Sequence, residues 1–236
     1  MSLPPGFEPI DVIAVGVFFL AWIVHAMFVN RLPTRRRSLS HAMHDYRARW
    51  MANAVRREAK MVDALIQNSL QQGVLFFAST SILVIGALLA GLGAAEQAVG
   101  VLDDLPLAST DTAIEWETKV LLVVAIITYA FFKFVWSYRL HGYVIILIGA
   151  GPDPKADGTT PDAAELEAWS VKLGRLHTIA ASHFISGTYA YFHALSAIAW
   201  FISPWLFIAA TVLVSMVLYR RAFGSNFLRV LTDRDG

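Results

Sequence analysis

The sequence predicts an all-α, polytopic membrane protein: a bundle of about five transmembrane helices with one basic amphipathic helix on the cytoplasmic side. Composition is the first observation, because hydrophobic residues make up 56% of the 236 residues, charged residues only 16%, and mean hydropathy is +0.54. A soluble fold of this size lacks the polar surface to cover so much apolar area. The second observation is that apolar residues form long stretches, and the third is an uneven distribution of basic residues.

Five apolar stretches account for the predicted spans. A helix needs about 20 mostly apolar residues to cross the hydrocarbon core of a bilayer. We expect the first stretch to be a retained span rather than a signal peptide, because no basic segment precedes it and no small-residue cleavage site follows it. All five belong to one integral membrane domain predicted over 1–236. The stretches lie at about 10–29, 70–95, 119–148, 176–201 and 205–219.

A basic amphipathic helix is predicted at about 38–68, between the first two spans. Residues 31–60 carry nine of the nineteen lysines and arginines. From Leu39 to Leu65, apolar positions recur at spacings of three, four and seven, which places them on one helical face. This helix either lies among the lipid headgroups or packs against other parts of the protein, including across a subunit interface.

The charges of the loops predict the orientation of the chain. The loop at 96–117 holds six acidic residues and no basic one, whereas seventeen of the nineteen basic residues fall on the opposite side. Because basic loops face the cytoplasm, we expect the N-terminus outside and the C-terminus inside. The corresponding location is a bacterial inner membrane, crossed several times.

Ionisable residues at membrane depth are costly and are therefore functional candidates. Lys133 lies about fourteen residues into the third predicted span. Its ammonium either extends toward the cytoplasmic headgroups or pairs with Asp63, the nearest plausible carboxylate, as in ion-coupled transporters. We expect Arg139 at the cytoplasmic boundary, against a phosphate headgroup or a carboxylate.

A stripe of polar residues follows one face of the fourth predicted span. Its members recur at three- and four-residue steps, which keeps them within about 80° of one another around a helix. Such a stripe faces the bundle interior or water rather than lipid. It serves either interhelical hydrogen bonds or one wall of a hydrated path for an ion, a proton or a small polar solute. The candidate path residues are Thr178, Ser182, Ser186, Tyr189 and His193.

Motifs of enzymes and cofactor sites are missing from the sequence. Cysteine is absent, which excludes disulfides, thiolate metal sites and cysteine nucleophiles. A haem between His25 and His183 is conceivable, but no His-x-x-x-His, Glu-x-x-His or haem-attachment motif occurs. No nucleotide-binding loop or nucleophile elbow occurs either. We therefore favour a non-enzymatic protein without a resident cofactor, and His25 is the remaining metal candidate.

Basic residues beside a membrane predict anionic lipid, rather than nucleic acid, as the partner. The arginines of the amphipathic helix and the third span are the candidate contacts. They are Arg49, Arg56, Arg57 and Arg139.

Several segments resemble a family of integral membrane proteins of bacteria and plants designated domain of unknown function five-nine-nine. The resemblance covers nearly the whole chain, and its most specific parts are the second-span motif and the pair Ser137 and Arg139. His183 and His193 do not fall on positions of the family pattern, which weakens a haem or metal role for them. The resemblance implies the membrane fold and carries no activity. The matching features are His25, Arg49-Trp50, Asp63, FFASTSIL (76–83), FKFVWSYRL (132–140), Tyr191-Phe192 and the turn at 200–204.

Two functions remain open from the sequence. In the first, a homo-oligomeric channel or transporter uses Lys133, Asp63, Arg139 and the polar stripe to line or gate a path. In the second, a non-enzymatic scaffold or lipid-binding protein holds anionic lipid with its basic helix, and the stripe joins helices. A water-accessible cavity beside the stripe would favour transport, whereas stripe residues bonded within a dry bundle would count against it.

Overall fold

The computed structural model describes residues 7–30, 38–93, 95, 100, 112–152, 161–224, 226, 230 and 231. Across this part of the chain all regular structure is helical, which confirms the predicted all-α class. The arginines before Ser38 and most of the predicted 96–117 loop lie outside the described residues. The helices are α1 (Pro9–Asn30), α2 (Leu39–Arg56), α3 (Met61–Leu92), α4 (Ala113–Gly149), α5 (Ala163–Ile198) and α6 (Pro204–Phe223), with a 3-10 turn at Ala199–Phe201.

Polar side chains cap the starts of the two longest helices, α4 and α5. Thr112 and Glu115 form a reciprocal capping box at the start of α4. Asp162 precedes α5, and its carboxylate accepts a hydrogen bond from the backbone N–H of Ala164. These contacts satisfy backbone donors that the first turn of a helix leaves unpaired.

The amphipathic helix predicted at about 38–68 is in fact two helices. α2 ends at Arg56, and Arg57 takes an extended backbone (φ −77°, ψ 137°) before α3 begins at Met61. The sequence does not reveal this break, because no glycine or proline stands at it and both helices keep an apolar face. α3 accordingly starts well before the span predicted at 70–95.

Three helices, α3, α4 and α6, are long and apolar enough to cross a membrane. α1 adds a shorter apolar stretch, Pro9–His25. α5 is long, at 36 residues, but it carries the polar stripe. These helices support a membrane protein, while the count of five spans and their orientation stay predictions.

Aromatic rings fill the middle of the bundle. Phe18, Phe134 and Phe207, from α1, α4 and α6, are fully buried in one apolar cluster. Phe77 of α3 packs against Phe134 with 5.4 Å between ring centres. Gly187 lets the ring of Phe134 approach α5, since a Cβ at this position would lie 2.6 Å from that ring.

α2 packs against one end of α4 and α5. α4 has 37 residues and is therefore roughly 55 Å long, against a hydrocarbon core of about 30 Å. It is long enough to extend beyond the membrane core and to hold α2 there. The contact is a second apolar cluster made of Met51, Val55, Val144, Ile148 and Leu173.

Candidate functional site

Two adjoining cavities lie beside α2. The larger has a volume of about 640 Å³ and is bounded by α2, α3 and α5, with one residue of α4 in its wall. The smaller, of about 280 Å³, is bounded by the start of α2, by α5 and by the end of α6. We call the two together the α2 cleft. The residues that line both cavities are Met43, Arg47, Phe184 and Ile185.

Arg47 is the charged residue at the wall that the two cavities share. Its side chain is half-buried, and within the described chain no group forms a hydrogen bond or ion pair with its guanidinium. Burial lowers the pKa of Arg47, because removal from water disfavours the charged form. A guanidinium has five N–H donors and no acceptor, so the ligand best suited to this position is an anion that accepts hydrogen bonds.

The remaining lining of the larger cavity is mainly apolar, with two histidines beside Arg47. His141 and His177 are buried, their ring centres are 5.4 Å apart, and the charge of Arg47 acts on both. The side-chain amide of Gln67 donates a hydrogen bond to Nδ1 of His141. The walls opposite include Val74 and other apolar residues of α3. The larger cavity therefore combines one cation, Arg47, with a long apolar surface, and Arg221 adds a second cation at the wall of the smaller cavity.

Asp63 fixes the junction between α2 and α3. Its carboxylate is fully buried and accepts hydrogen bonds through Oδ1 from the indole of Trp50 at 2.7 Å and from the guanidinium of Arg57 at 2.6 Å. Trp50 also lines the larger cavity. Asp63 thus shapes the cleft and does not face it as a free carboxylate.

The structure does not bring Lys133 to Asp63, so of the two alternatives for this lysine it gives no support to the ion pair. Phe77 packs against Phe134, so the level of Lys133 on α4 is close to that of Phe77 on α3. Asp63 precedes Phe77 by fourteen residues, which is about 21 Å along a helix. The ion-pair partner of Asp63 is Arg57. Lys133 instead lies over the ring of Tyr129, 5.3 Å from the ring centre.

The four arginines predicted to bind lipid all have protein partners. Those partners are Asp63 for Arg57, Glu167 for Arg56, the Tyr143 hydroxyl for Arg139 and the Tyr46 ring for Arg49. The sequence reasoning missed Arg47. A signal was present, because Arg47 lies four residues after Met43 and three before Trp50, on the apolar face of α2 rather than among its exposed arginines.

Three hydroxyl groups of the polar stripe on α5 already have hydrogen-bond partners. The hydroxyl groups of Ser182 and Ser186 donate to carbonyls of their own helix, those of Ile179 and Ser182, each at 2.8 Å. Thr178 shares a hydrogen bond of 3.0 Å with His44 of α2. These three side chains are therefore used in local and interhelical bonding.

The other end of the stripe meets α1. The ring of Tyr189 packs edge-on against His25 with 4.6 Å between centres, and His193 lies 6.1 Å from the same ring. His183 lies elsewhere, beside Trp136 of α4 at 6.5 Å. His25 is thus brought together with His193, not with His183 as the haem hypothesis required. Among the described residues, no three His, Cys, Asp or Glu are grouped to hold a metal ion.

One comparison with known proteins gives a match. A family model described as "Protein of unknown function, DUF599" matches residues 13–227. No curated protein and no solved structure matches the chain.

Proposed function

The chain belongs to the DUF599 family of proteins of unknown function, as its sequence resemblance predicted, and we propose that it is a membrane protein that binds an anionic phospholipid in the α2 cleft. The observation that carries this proposal is Arg47. A half-buried guanidinium without an acceptor from the described chain stands at the wall shared by two apolar cavities.

A phosphate group satisfies Arg47 better than any neutral ligand would. Guanidinium and phosphate form paired, charge-assisted hydrogen bonds, and a guanidinium is weakly hydrated for a cation. The partly buried charge of Arg47 then gains a counter-ion where none of the described residues supplies one. The headgroup of the lipid is therefore assigned to Arg47.

The apolar part of the lipid is assigned to the cavities. Burial of each CH₂ group of a chain contributes about 0.8 kcal/mol. The larger cavity runs along α3 past Leu70, Gly73 and Phe77, and its wall continues to Phe184 on α5. A chain attached to a headgroup at Arg47 would lie along this surface.

The predicted location of α2 agrees with a lipid of the cytoplasmic leaflet. Basic residues beside the membrane on that side attract anionic lipid, each by about 1 kcal/mol. Arg49 on the exposed side of α2 would add to this attraction without entering the cleft. The inner-membrane location and the predicted homo-oligomer are parts of the proposal that rest on the sequence.

A channel or transporter for an ion or small polar solute is the second candidate. Unpartnered polar groups inside the bundle, above all His193, favour it. The bonding of Ser182 and Ser186 to their own helix and the apolar cluster around Phe134 speak against a hydrated path. Flux of ions across vesicles that contain the protein would support this candidate, and intact gradients would support lipid binding alone.

The test compares two arginines on the same helix. The full chain, purified in detergent and stripped of lipid, is titrated with dioleoyl-phosphatidylglycerol or dioleoyl-phosphatidylcholine, and bound lipid is counted by native mass spectrometry. The unaltered protein should bind the anionic lipid in preference. Arg47→Gln should weaken that binding at least about tenfold, since a hydrogen bond to a charged group contributes about 1.5–3 kcal/mol.

Arg49→Gln is the matched control, because Arg49 lies two residues away and outside the cleft. It should change the affinity by less than about twofold, as expected for an exposed charge. Equal affinities for the two lipids, or equal effects of the two substitutions, would overturn the proposal.

A further inference from the structure

A second site lies inside the bundle, beside the smaller cavity of the α2 cleft, because Tyr189 lines that cavity and packs on His25. We propose that His25 of α1 and His193 of α5 together bind one Cu(I) ion. We call this pair the two-histidine site. It is independent of the lipid proposal, since neither residue lines the cleft.

The first support is the state of the ring nitrogens. His193 is fully buried and His25 is 6% exposed. Nε2 of His25 and both nitrogens of His193 are buried without a hydrogen-bond partner among the described residues. A buried polar group is costly unless something satisfies it, and buried polar groups without partners point to a bound ion or water.

The second support is the distance between the rings. An imidazole nitrogen lies about 2 Å from a bound transition metal, so two rings on one ion have centres roughly 5 to 6.5 Å apart. The ring centres of His25 and His193 are 6.1 Å apart. This value lies within the range that one shared ion requires.

The ligand set selects the ion. No third His, Cys, Asp or Glu joins the pair among the residues that the structure describes. Zn²⁺ prefers four ligands in a tetrahedron, whereas Cu(I) accepts as few as two, and imidazole is a ligand that copper takes. A single positive charge is also the least costly to bury among apolar groups.

The surroundings of the pair are mainly aromatic. The indole of Trp22 stacks on His193, 5.5 Å away and 9° from parallel, and Phe18 meets the same ring edge-on. Tyr189 packs on His25. This ring surface favours a soft ion of low charge over a strongly hydrated divalent ion.

The other histidines are less suited to a cation. Nδ1 of His141 is bonded to Gln67, and the charge of Arg47 acts on both His141 and His177. Lys133 acts in the same way on His183.

The experiment measures copper binding by the purified full chain. Cu(I) is titrated under anaerobic, reducing conditions against the coloured chelator bicinchoninate, and the ligands are identified by X-ray absorption. The unaltered protein should take one Cu(I) per chain with two nitrogen ligands. His25→Gln and His193→Gln should each lower the affinity at least tenfold, while His183→Gln should bind copper as the unaltered protein does.

Thermal unfolding without metal shows whether the variants fold. If neither variant folds, the decision passes to the unaltered protein, in which two imidazole ligands on Cu(I) support the site and any other ligand set overturns it. Lack of Cu(I) binding, or an equal effect of His183→Gln, would also overturn it. Arg47→Gln should leave copper binding unchanged, so failure of the lipid proposal and failure of this one are distinguishable.

Discussion

Asp63 and Arg57 form an ion pair with 2.6 Å between Oδ1 and the guanidinium nitrogen, and the carboxylate is fully buried while the guanidinium is half exposed. The same oxygen accepts the hydrogen bond of Trp50. Trp50 belongs to α2, Arg57 to the bend and Asp63 to the first turn of α3. One carboxylate therefore sets how α2 lies against α3, and with it the shape of the α2 cleft.

Substitution of Asp63 tests this junction. Asp63→Asn removes the charge that Arg57 and Trp50 share, and we expect a loss of about 2 kcal/mol in the free energy of unfolding. Thermal unfolding of the purified protein in detergent measures it. Glu167→Gln, which breaks the exposed pair with Arg56, should change stability by less than about 0.5 kcal/mol. Equal effects of the two would show that the junction does not depend on Asp63.

Gly187 is expected to tolerate no side chain. A Cβ there would lie 2.6 Å from the buried ring of Phe134, so Gly187→Ala should destabilise the protein by about 1–3 kcal/mol through overpacking. Gly16 is the control, because a Cβ at that position meets nothing within 4 Å. Gly16→Ala should be neutral or slightly stabilising, as alanine favours a helix interior. A stable Gly187→Ala variant would mean that α4 and α5 are farther apart than described.

Filling the larger cavity should block the lipid. A Cβ at Gly73 meets nothing within 4 Å, and Gly73 lines the cavity. Gly73→Leu should therefore fold normally and lower binding of phosphatidylglycerol about tenfold or more, because the leucine occupies space assigned to the chain. Gly86→Leu places the same side chain on α3, outside the cleft and in open space. Gly86→Leu should bind the lipid as the unaltered protein does. Full affinity of Gly73→Leu would show that the acyl chain of the lipid does not occupy this cavity.

The polar stripe gives a separate test of transport. The hydroxyl groups of Ser182 and Ser186 donate hydrogen bonds to their own helix. Ser182→Ala and Ser186→Ala should therefore change the free energy of unfolding by no more than about 0.5 kcal/mol, and lipid binding should stay the same. Proteoliposomes loaded with an ion-sensitive dye measure flux for the same variants. A flux that the serine substitutions abolish would place a path along the stripe and favour the transporter hypothesis.

The fold class and the start of α5 were accessible from the sequence because they depend on composition and on local chemistry. Apolar stretches are visible as runs, and Asp162 is recognisable as the capping residue before a helix. The bend at Arg57 was not accessible. The bend depends on the tertiary contact between Arg57 and Asp63, and no glycine or proline marks it in the sequence.

The candidate site was less accessible, because it depends on which partners meet in space. Arg47 and Arg49 are the same residue type two positions apart on α2. Helix periodicity puts Arg47 on the apolar face, but only the structure shows that Arg47 lines the cleft while Arg49 lies over an exposed tyrosine ring. The sequence singled out His25 as a metal candidate, but its neighbour His193 comes from a helix far away in the chain. Helix periodicity predicts on which face of its helix a residue lies. It does not predict which residues of two packed helices lie at the same level.

The most direct test of lipid binding is a structure of the full chain in nanodiscs that contain dioleoyl-phosphatidylglycerol. We predict a phosphate group within hydrogen-bond distance of the Arg47 guanidinium, about 2.7–2.9 Å from its nitrogen atoms, and an acyl chain in the cavity along α3. A structure in which Arg47 pairs with a carboxylate of the protein and side chains close the cavity would contradict the assignment.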